Sequence, residues 1–266
     1  MPESPGVCVA YLHPGDVSGW FCMSLANMQA YDHRNGQHIL GPKGDLIALQ
    51  SSPRIAEARN KVIDMFAVLE QQPEWLLMLD SDMTFEPNLL EKLLEHADPE
   101  RVPILGGLCF AGGRVHAPYP TIYQQVDEGG YVSVDRVHEY PRDALVKVGA
   151  TGGACLLMHR GALGAMKNHY GKNNAPYPWF AEGVVGPKGE PWGEDIVFCL
   201  RANAIGIPVH VHTGVKLGHV KTAVIDEVYF DNYYATVARD EADAAKANGN
   251  GNRAARRRQA REKAGT

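Results

Sequence analysis

No apolar run among the 266 residues approaches the ~20 that a membrane span requires, so no span is expected. The opening MPESPGV is acidic and proline-bearing and does not read as a secretory signal. Cysteine is sparse: Cys8, Cys22, Cys109, Cys155 and Cys199 are scattered, with no C-x-x-C pair. Most lie in apolar runs, the setting of buried free thiols, which fits a reducing, cytoplasmic compartment. No repeat is visible at periods of about 20–50 residues. The Gly149–Gly153 stretch falls short of a dinucleotide-binding G-x-G-x-x-G pattern. Net positive charge is missing from the body of the chain. The net charge is −5, but residues 253–263 (RAARRRQAREK) carry +5, leaving −10 for the remainder. An acidic body argues against a nucleic-acid-binding core. What is present, 45% apolar and 21% charged residues, suits a soluble globular protein of one large or two small domains.

Val7 to Leu12 (VCVAYL) and Leu46 to Leu49 (LIAL) read as buried strands. Residues 54–72 carry Ile55, Ala58, Val62, Phe66 and Leu69 at helical spacing, with Ser52-Pro53 as a helix start. Trp75 to Leu79 (WLLML) reads as a strand buried on both faces, Glu86-Pro87 opens a helix with Leu89, Leu90, Leu93 and Leu94, and Val102 to Phe110 reads as a further strand. That order predicts a parallel, doubly wound α/β layout. The second half is less regular. A β-hairpin is expected around Gly129-Gly130, a Gly-rich turn feeding a strand over 146–158, a helix over 194–204 and a strand from Pro208 to His212. The halves are expected at 1–110, a nucleotide-type sheet, and 111–239, a mixed half that shapes a second binding surface. After the linker-like ANGNGN, residues 240–266 read as a flexible basic tail able to contact an acidic partner.

The strongest chemical signal is LLMLDSDM. Asp80 and Asp82 stand where an apolar strand runs out into a turn, the end of an α/β sheet at which ligands bind. Residues i and i+2 of an extended segment point the same way, so both carboxylates can face one site. Two converging negative charges call for a divalent cation, and oxygen ligands favour Mg²⁺ or Mn²⁺. The alternative is a turn cap with one solvated carboxylate. Trp192-Gly193-Glu194-Asp195 starts a helix, where the macrodipole alone favours acidic residues. His210 and His212 share a strand face, while His219 follows a glycine in a loop. Residues 181–193 hold four Gly and two Pro and read as a static loop or a lid. Tyr177, Trp179, Phe180 and Trp192 are aromatic candidates to stack on a ligand.

Ala58-Arg59-Asn60 on a helix, then an apolar strand, then Asp80-Ser81-Asp82 resembles the inverting glycosyltransferases of family 2, which have the GT-A fold. The resemblance is specific over Ser51 to Met83 and covers residues 5–225 in outline. It implies a Rossmann-like, mostly parallel central sheet flanked by helices, with a mixed C-terminal acceptor half. It further implies that Ser51, Arg59, Asn60, Asp80 and Ser81 help hold the nucleotide. Asp80, Asp82 and His219 would hold the metal, with His212 in reserve. Asp195 would receive the acceptor proton beside Glu194, while Thr151, Gly152, Gly153, Trp192 and Gly193 would line the sugar and acceptor pocket. The expected activity is metal-dependent hexosyl transfer from a nucleoside-diphosphate sugar, UDP-linked, with Mn²⁺ or Mg²⁺. The small size, acidic body and Arg/Ala-rich tail also look like glycosyltransferases of phages of high-GC bacteria. That leaves a virion protein, a glycan or a lipid-linked acceptor open, in a host cytoplasm. The string LLMLDSDMT also matches a haloacid dehalogenase-type phosphatase with Asp80 as nucleophile, although that motif usually opens its chain. A non-catalytic sugar- or nucleotide-binding protein is the remaining reading.

Overall fold

A computed structural model of the chain describes residues 5–51, 53–112, 118–127, 132–172, 177–184, 186, 189, 191–221, 235, 236 and 239. The chain divides into two units, Met1–Lys221 and Thr222–Thr266, and every element named here lies in the first. The basic tail expected over 240–266, the helix-start residue Ser52 and the hairpin tip at Gly129-Gly130 lie outside the described residues.

The first half runs β1 (Val7–His13), α1 (Gly19–Asn35), β2 (Asp45–Gln50), α2 (Ile55–Ala67), β3 (Trp75–Asp80), β4 (Met83–Thr84), α3 (Leu89–Leu94) and β5 (Ile104–Leu108). The second half opens with β6 (Phe110–Ala111), β7 (Tyr119–Pro120), β8 (Ile122–Asp127), β9 (Val132–Arg136), β10 (Leu145–Val148) and β11 (Ala150–Thr151). It continues with β12 (Cys155–His159), α4 (Arg160–Tyr170), α5 (Glu194–Ala204), β13 (Val209–Lys216) and β14 (Gly218–His219). A seven-stranded sheet of order β10-β13-β5-β12-β3-β1-β2 forms the centre. Strands β13, β5, β3, β1 and β2 share one direction, whereas β12 and β10 run against it. The sheet is therefore mostly parallel, as expected, with one correction: antiparallel β12 is inserted between β3 and β5.

Period-two alternation builds a core on each face. Cys8, Ala10 and Leu12 of β1 with Leu76 and Met78 of β3 pack on one side, together with α2, α4 and α5. Val7, Val9, Leu77 and Leu79 pack on the other, with Phe21 and Met28 of α1 and Leu90 and Leu93 of α3. Strands covered on both faces need apolar residues at every position, which is why VCVA and WLLML read as continuous runs. Helix α1 was not foreseen. Its buried stripe is Phe21, Ser24, Met28 and Asp32, half of it polar, while Trp20 is 70% exposed, so the sequence shows little amphipathic period. Buried Asp32 accepts from the backbone N–H groups of His38 (2.8 Å) and Ile39 (2.9 Å) and so fixes the turn toward β2.

Candidate active site

The C-terminal ends of β1, β2 and β3 open onto one edge of the sheet. Antiparallel β12 brings its beginning, Gly152 to Ala154, to the same edge, because Cys155 pairs with Leu79 just before Asp80. The Asp80 N–H donates to Ala154 O at 3.1 Å. Strand β13 is displaced in register between His212 and Lys216, and β14 then pairs antiparallel with β4, setting His219 opposite Met83. The Val220 N–H donates to Asp82 O at 2.7 Å and locks this crossing.

The result is a cleft of about 410 Å³. Ten of the residues expected at a site line it: Ser51, Arg59, Asp80, Ser81, Asp82, Gly152, Gly153, Glu194, Asp195 and His219. Sequence reasoning missed Pro14, Phe110 and Thr121, which also line it. Phe110 follows apolar β5 much as Asp80 ends apolar β3, a signal that could have found it.

His219 Nε2 lies 2.8 Å from Asp82 Oδ2, and its Nδ1 lies 3.0 Å from Phe110 O. A carbonyl only accepts, so Nδ1 carries the proton of that contact. Nε2 then faces the carboxylate as a second N–H donor or, with a cation between them, as a ligand. An imidazole whose outer nitrogen is tied to a carbonyl is the usual setting of a metal-binding histidine. Lys221 Nζ stands 3.5 Å from the same Asp82 oxygen. Asp82 and His219 therefore fit a divalent cation as a two-residue donor set, with donor oxygens and water completing the shell, as magnesium-type sites commonly do.

The expected set of three ligands is not assembled. Among the described residues no group of three or more His, Cys, Asp or Glu side chains is placed to hold a metal ion. Asp80 is turned to Arg59, whose Nη2 lies 2.9 Å from Oδ1 and 3.2 Å from Oδ2. The guanidinium is buried, 3% exposed, and its Nε donates to Glu194 Oε1 at 3.1 Å. Its Nη1 donates to Gly153 O at 2.8 Å and approaches Met78 Sδ at 3.4 Å. Each guanidinium nitrogen thus has a protein acceptor, so Arg59 supports the cleft floor. Burial pushes the Asp80 carboxyl above its ordinary value against the pull of Arg59, and Asp82 and Asp195 push the same way. Burial likewise raises Glu194, with Asp195 adding to it. Arg59 is held above its ordinary value because Asp80, Glu194 and Asp195 outweigh its burial.

Asp195 sits in the first turn of α5. Its Oδ1 accepts from the Ile196 N–H (2.8 Å) and its Oδ2 from the Gly153 N–H (3.2 Å), which fixes the carboxylate at the cleft wall. Gly193 precedes the helix, and a Cβ there would lie 2.6 Å from Asp195 Oδ1, so the missing side chain makes room for that carboxylate.

Other expected residues lie elsewhere. Asn60 is buried; its Nδ2 donates to Ala56 O and Phe180 O, and its Oδ1 accepts from the Trp179 and Phe180 N–H groups. Its amide anchors the 177–184 segment and is not free for a nucleotide. Thr151 is buried, its Oγ1 donating to Thr121 O at 2.8 Å. Trp192 lines a second, largely apolar cavity beside α5 with Val197 and Leu200. Trp179 and Phe180 cannot stack on a sugar: both are core residues, Phe180 lying against Phe198 with ring centroids 4.4 Å apart. His212 stacks on His96 at 4.2 Å, away from the cleft.

No protein-family model and no curated protein sequence matches the chain. Solved structures do resemble it. The protein A197 from STIV aligns at a TM-score of 0.50 and 13% identity, over 82% of this chain and 86% of that one. GalNAc-T7, crystallised with UDP, GalNAc and Mn²⁺, aligns at a TM-score of 0.53 and 12% identity, over 83% of this chain. The chain has the GT-A fold. It spans 45% of the GalNAc-T7 chain, and the likeness is one of fold. Within that fold the cleft occupies the carboxyl edge of the sheet, where open α/β sheets bind their ligands.

Proposed function

We propose that the chain is a glycosyltransferase that uses a divalent cation, Mn²⁺ or Mg²⁺, to move a sugar from a nucleoside-diphosphate donor, UDP-linked by preference, to an acceptor hydroxyl with inversion. The observation that carries this is the convergence of the Asp82–His219 pair and the Asp195 carboxylate on one cleft of a GT-A fold. The UDP, GalNAc and Mn²⁺ held by GalNAc-T7 support the choice of donor and metal.

Asp82 and His219 would hold the cation against the donor diphosphate. The cation, when bound, supplies Lewis-acid neutralisation of charge on the leaving group, worth on the order of several kcal/mol in the transition state. Each Asp195 oxygen keeps a lone pair beyond its one N–H donor, enough to receive the acceptor proton. The acceptor oxygen then forms its bond to the anomeric carbon as the bond to the diphosphate breaks on the opposite face. The acceptor remains a glycan, lipid or protein hydroxyl. A cytoplasmic setting is in keeping with the five free cysteines, and no helix of the described residues is long and apolar enough to cross a membrane. A phosphatase with Asp80 as nucleophile is disfavoured, because Arg59 engages both oxygens of that carboxylate.

Calorimetric titration with UDP and GDP, each with and without Mn²⁺, tests the reading. Metal-dependent binding of one nucleotide, lost in Asp82→Ala with the melting temperature retained, is the expected result. Absence of binding to either nucleotide, with or without metal, would remove the donor site and the function with it.

A further inference from the structure

Resting on the glycosyltransferase reading, we propose that Arg59 is a positioning residue: one buried guanidinium sets the donor wall and the catalytic helix in register. Its bonds join four separate pieces of backbone. Helix α2 carries the residue itself, Nη2 meets Asp80 at the end of β3, Nη1 meets the Gly153 carbonyl in the turn before β12, and Nε meets Glu194 at the start of α5. The Gly153 peptide continues the connection, since its N–H donates to Asp195 Oδ2. An unbroken path therefore runs from Asp80 through Arg59 and Gly153 to Asp195, with a second path through Glu194 to the same helix turn.

The surroundings are shaped for a planar fork. A Cβ on Gly153 would lie 2.8 Å from the guanidinium carbon and 2.9 Å from Nη2, so the turn leaves out a side chain where the guanidinium sits. The Phe180 ring covers the group at 5.6 Å. An ammonium is a point charge without the rigid fork and cannot reach all these acceptors at once. Without the guanidinium, Asp80 and Glu194 would share a poorly solvated space with no countercharge between them. The group touches no reacting atom. It acts through Asp80 and Asp195.

The test is a double-substitution cycle read by Mn²⁺–UDP titration, with melting curves confirming that each variant folds. Glu194→Gln should weaken Mn²⁺–UDP binding about fivefold or more, although Glu194 is not part of the metal pair. Arg59→Lys should weaken it comparably despite keeping the charge. Adding Glu194→Gln to Arg59→Lys should cost less than about twofold further, because the shared connection is already broken. A purely structural arginine would lower the melting temperature and leave the affinities unchanged, or the two losses would multiply; either result overturns the proposal. If Arg59→Lys does not fold, Gly153→Ala takes its place, since its methyl group displaces the guanidinium while keeping the arginine. Unaltered Mn²⁺–UDP binding in a folded Gly153→Ala protein overturns the proposal as well. Wild-type protein that binds neither UDP nor GDP with Mn²⁺ refutes the glycosyltransferase reading itself, whereas normal wild-type binding that Glu194→Gln leaves intact refutes only the coupling.

Discussion

Asp82 and Asp195 face the same cleft but are held by opposite kinds of partner, and that difference separates their roles. Asp82 is 46% exposed, and its Oδ2 faces both the imidazole of His219 and the ammonium of Lys221, a positive charge that a bound cation can replace. Asp195 is held by two backbone N–H groups, which orient a carboxylate without neutralising it. Asp195→Asn should therefore keep Mn²⁺-dependent nucleotide binding while sugar transfer falls by about 10²–10⁴, the usual contribution of a general base. Titration of the variant beside a turnover assay with a competent acceptor checks both halves, and loss of nucleotide binding would place Asp195 on the donor side instead. Asp82→Asn should instead abolish the metal dependence of binding, and transfer with it. Its effect on unfolding free energy should stay within about 0.5 kcal/mol, as at other exposed positions. The candidates Asp82, Asp195 and His219, which line one cleft, were legible in the sequence, because each stands beside a turn or helix start. Their partners were not. Nothing around Ala58-Arg59-Asn60 reveals that Arg59 meets Glu194, 135 positions away.

Helix α2 shows how one element can be correctly placed while its side chains are misread. Its apolar spacing predicted the helix, yet the resemblance suggested that Asn60 touches the nucleotide, and the structure gives it a different task. Four hydrogen-bonding contacts tie its amide to Ala56, Trp179 and Phe180, pinning the segment 177–184 that leads toward α5. Glu182 reinforces the same contact by accepting from the Ala56 N–H at 3.0 Å near the helix start. The aromatic residues of this segment were legible as aromatics but not as core, since a Pro-rich neighbourhood reads as a surface loop. Asn60→Ala would leave buried backbone groups of Trp179 and Phe180 without partners, a loss of about 1–3 kcal/mol. Trp179→Ala would open a cavity and remove the indole N–H donation to Leu163 O, at about 3–5 kcal/mol. Tyr177→Ala, at an exposed ring of the same segment, should be close to neutral. Denaturant melts of the three variants test the ranking. A Trp179→Ala protein as stable as Tyr177→Ala would mean that the segment is not packed as described.

Across the whole molecule, what was legible follows from where each strand lies in the central sheet. Strands buried on both faces announce themselves as apolar runs, so β1, β3 and β5 were found. The reversed direction of β12 was not, since CLLMH reads the same in either orientation and only its neighbours Leu79 and Gly106 settle it. Packing on both faces also leaves histidines in places where a positive charge is resisted. Burial lowers His210, with Lys147 adding to it; burial lowers His212, with stacked His96 and nearby Lys92 adding and Asp143 and Glu95 opposing. His159 is lowered by burial and by Arg160, against Glu74. An imidazole whose folded value lies below its unfolded value of about 6.5 binds fewer protons in the native state. Its contribution is fully present above pH ~6.5 and is lost as the pH falls through that value. The raised carboxyls of Asp80 and Glu194 work in the opposite sense, because the folded state takes up their protons first on acidification. A single melting curve would mix the two trends, so the comparison should be with a variant that removes one imidazole. His210 suits this best, because its buried Nδ1 has no hydrogen-bond partner among the described residues. The melting temperature of wild type minus that of His210→Gln should hold between pH 7.5 and about 6.5 and fall from there to pH 5. A difference that stays flat across that range would show that His210 titrates as it does in the unfolded chain, and that the sheet places no penalty on its charge.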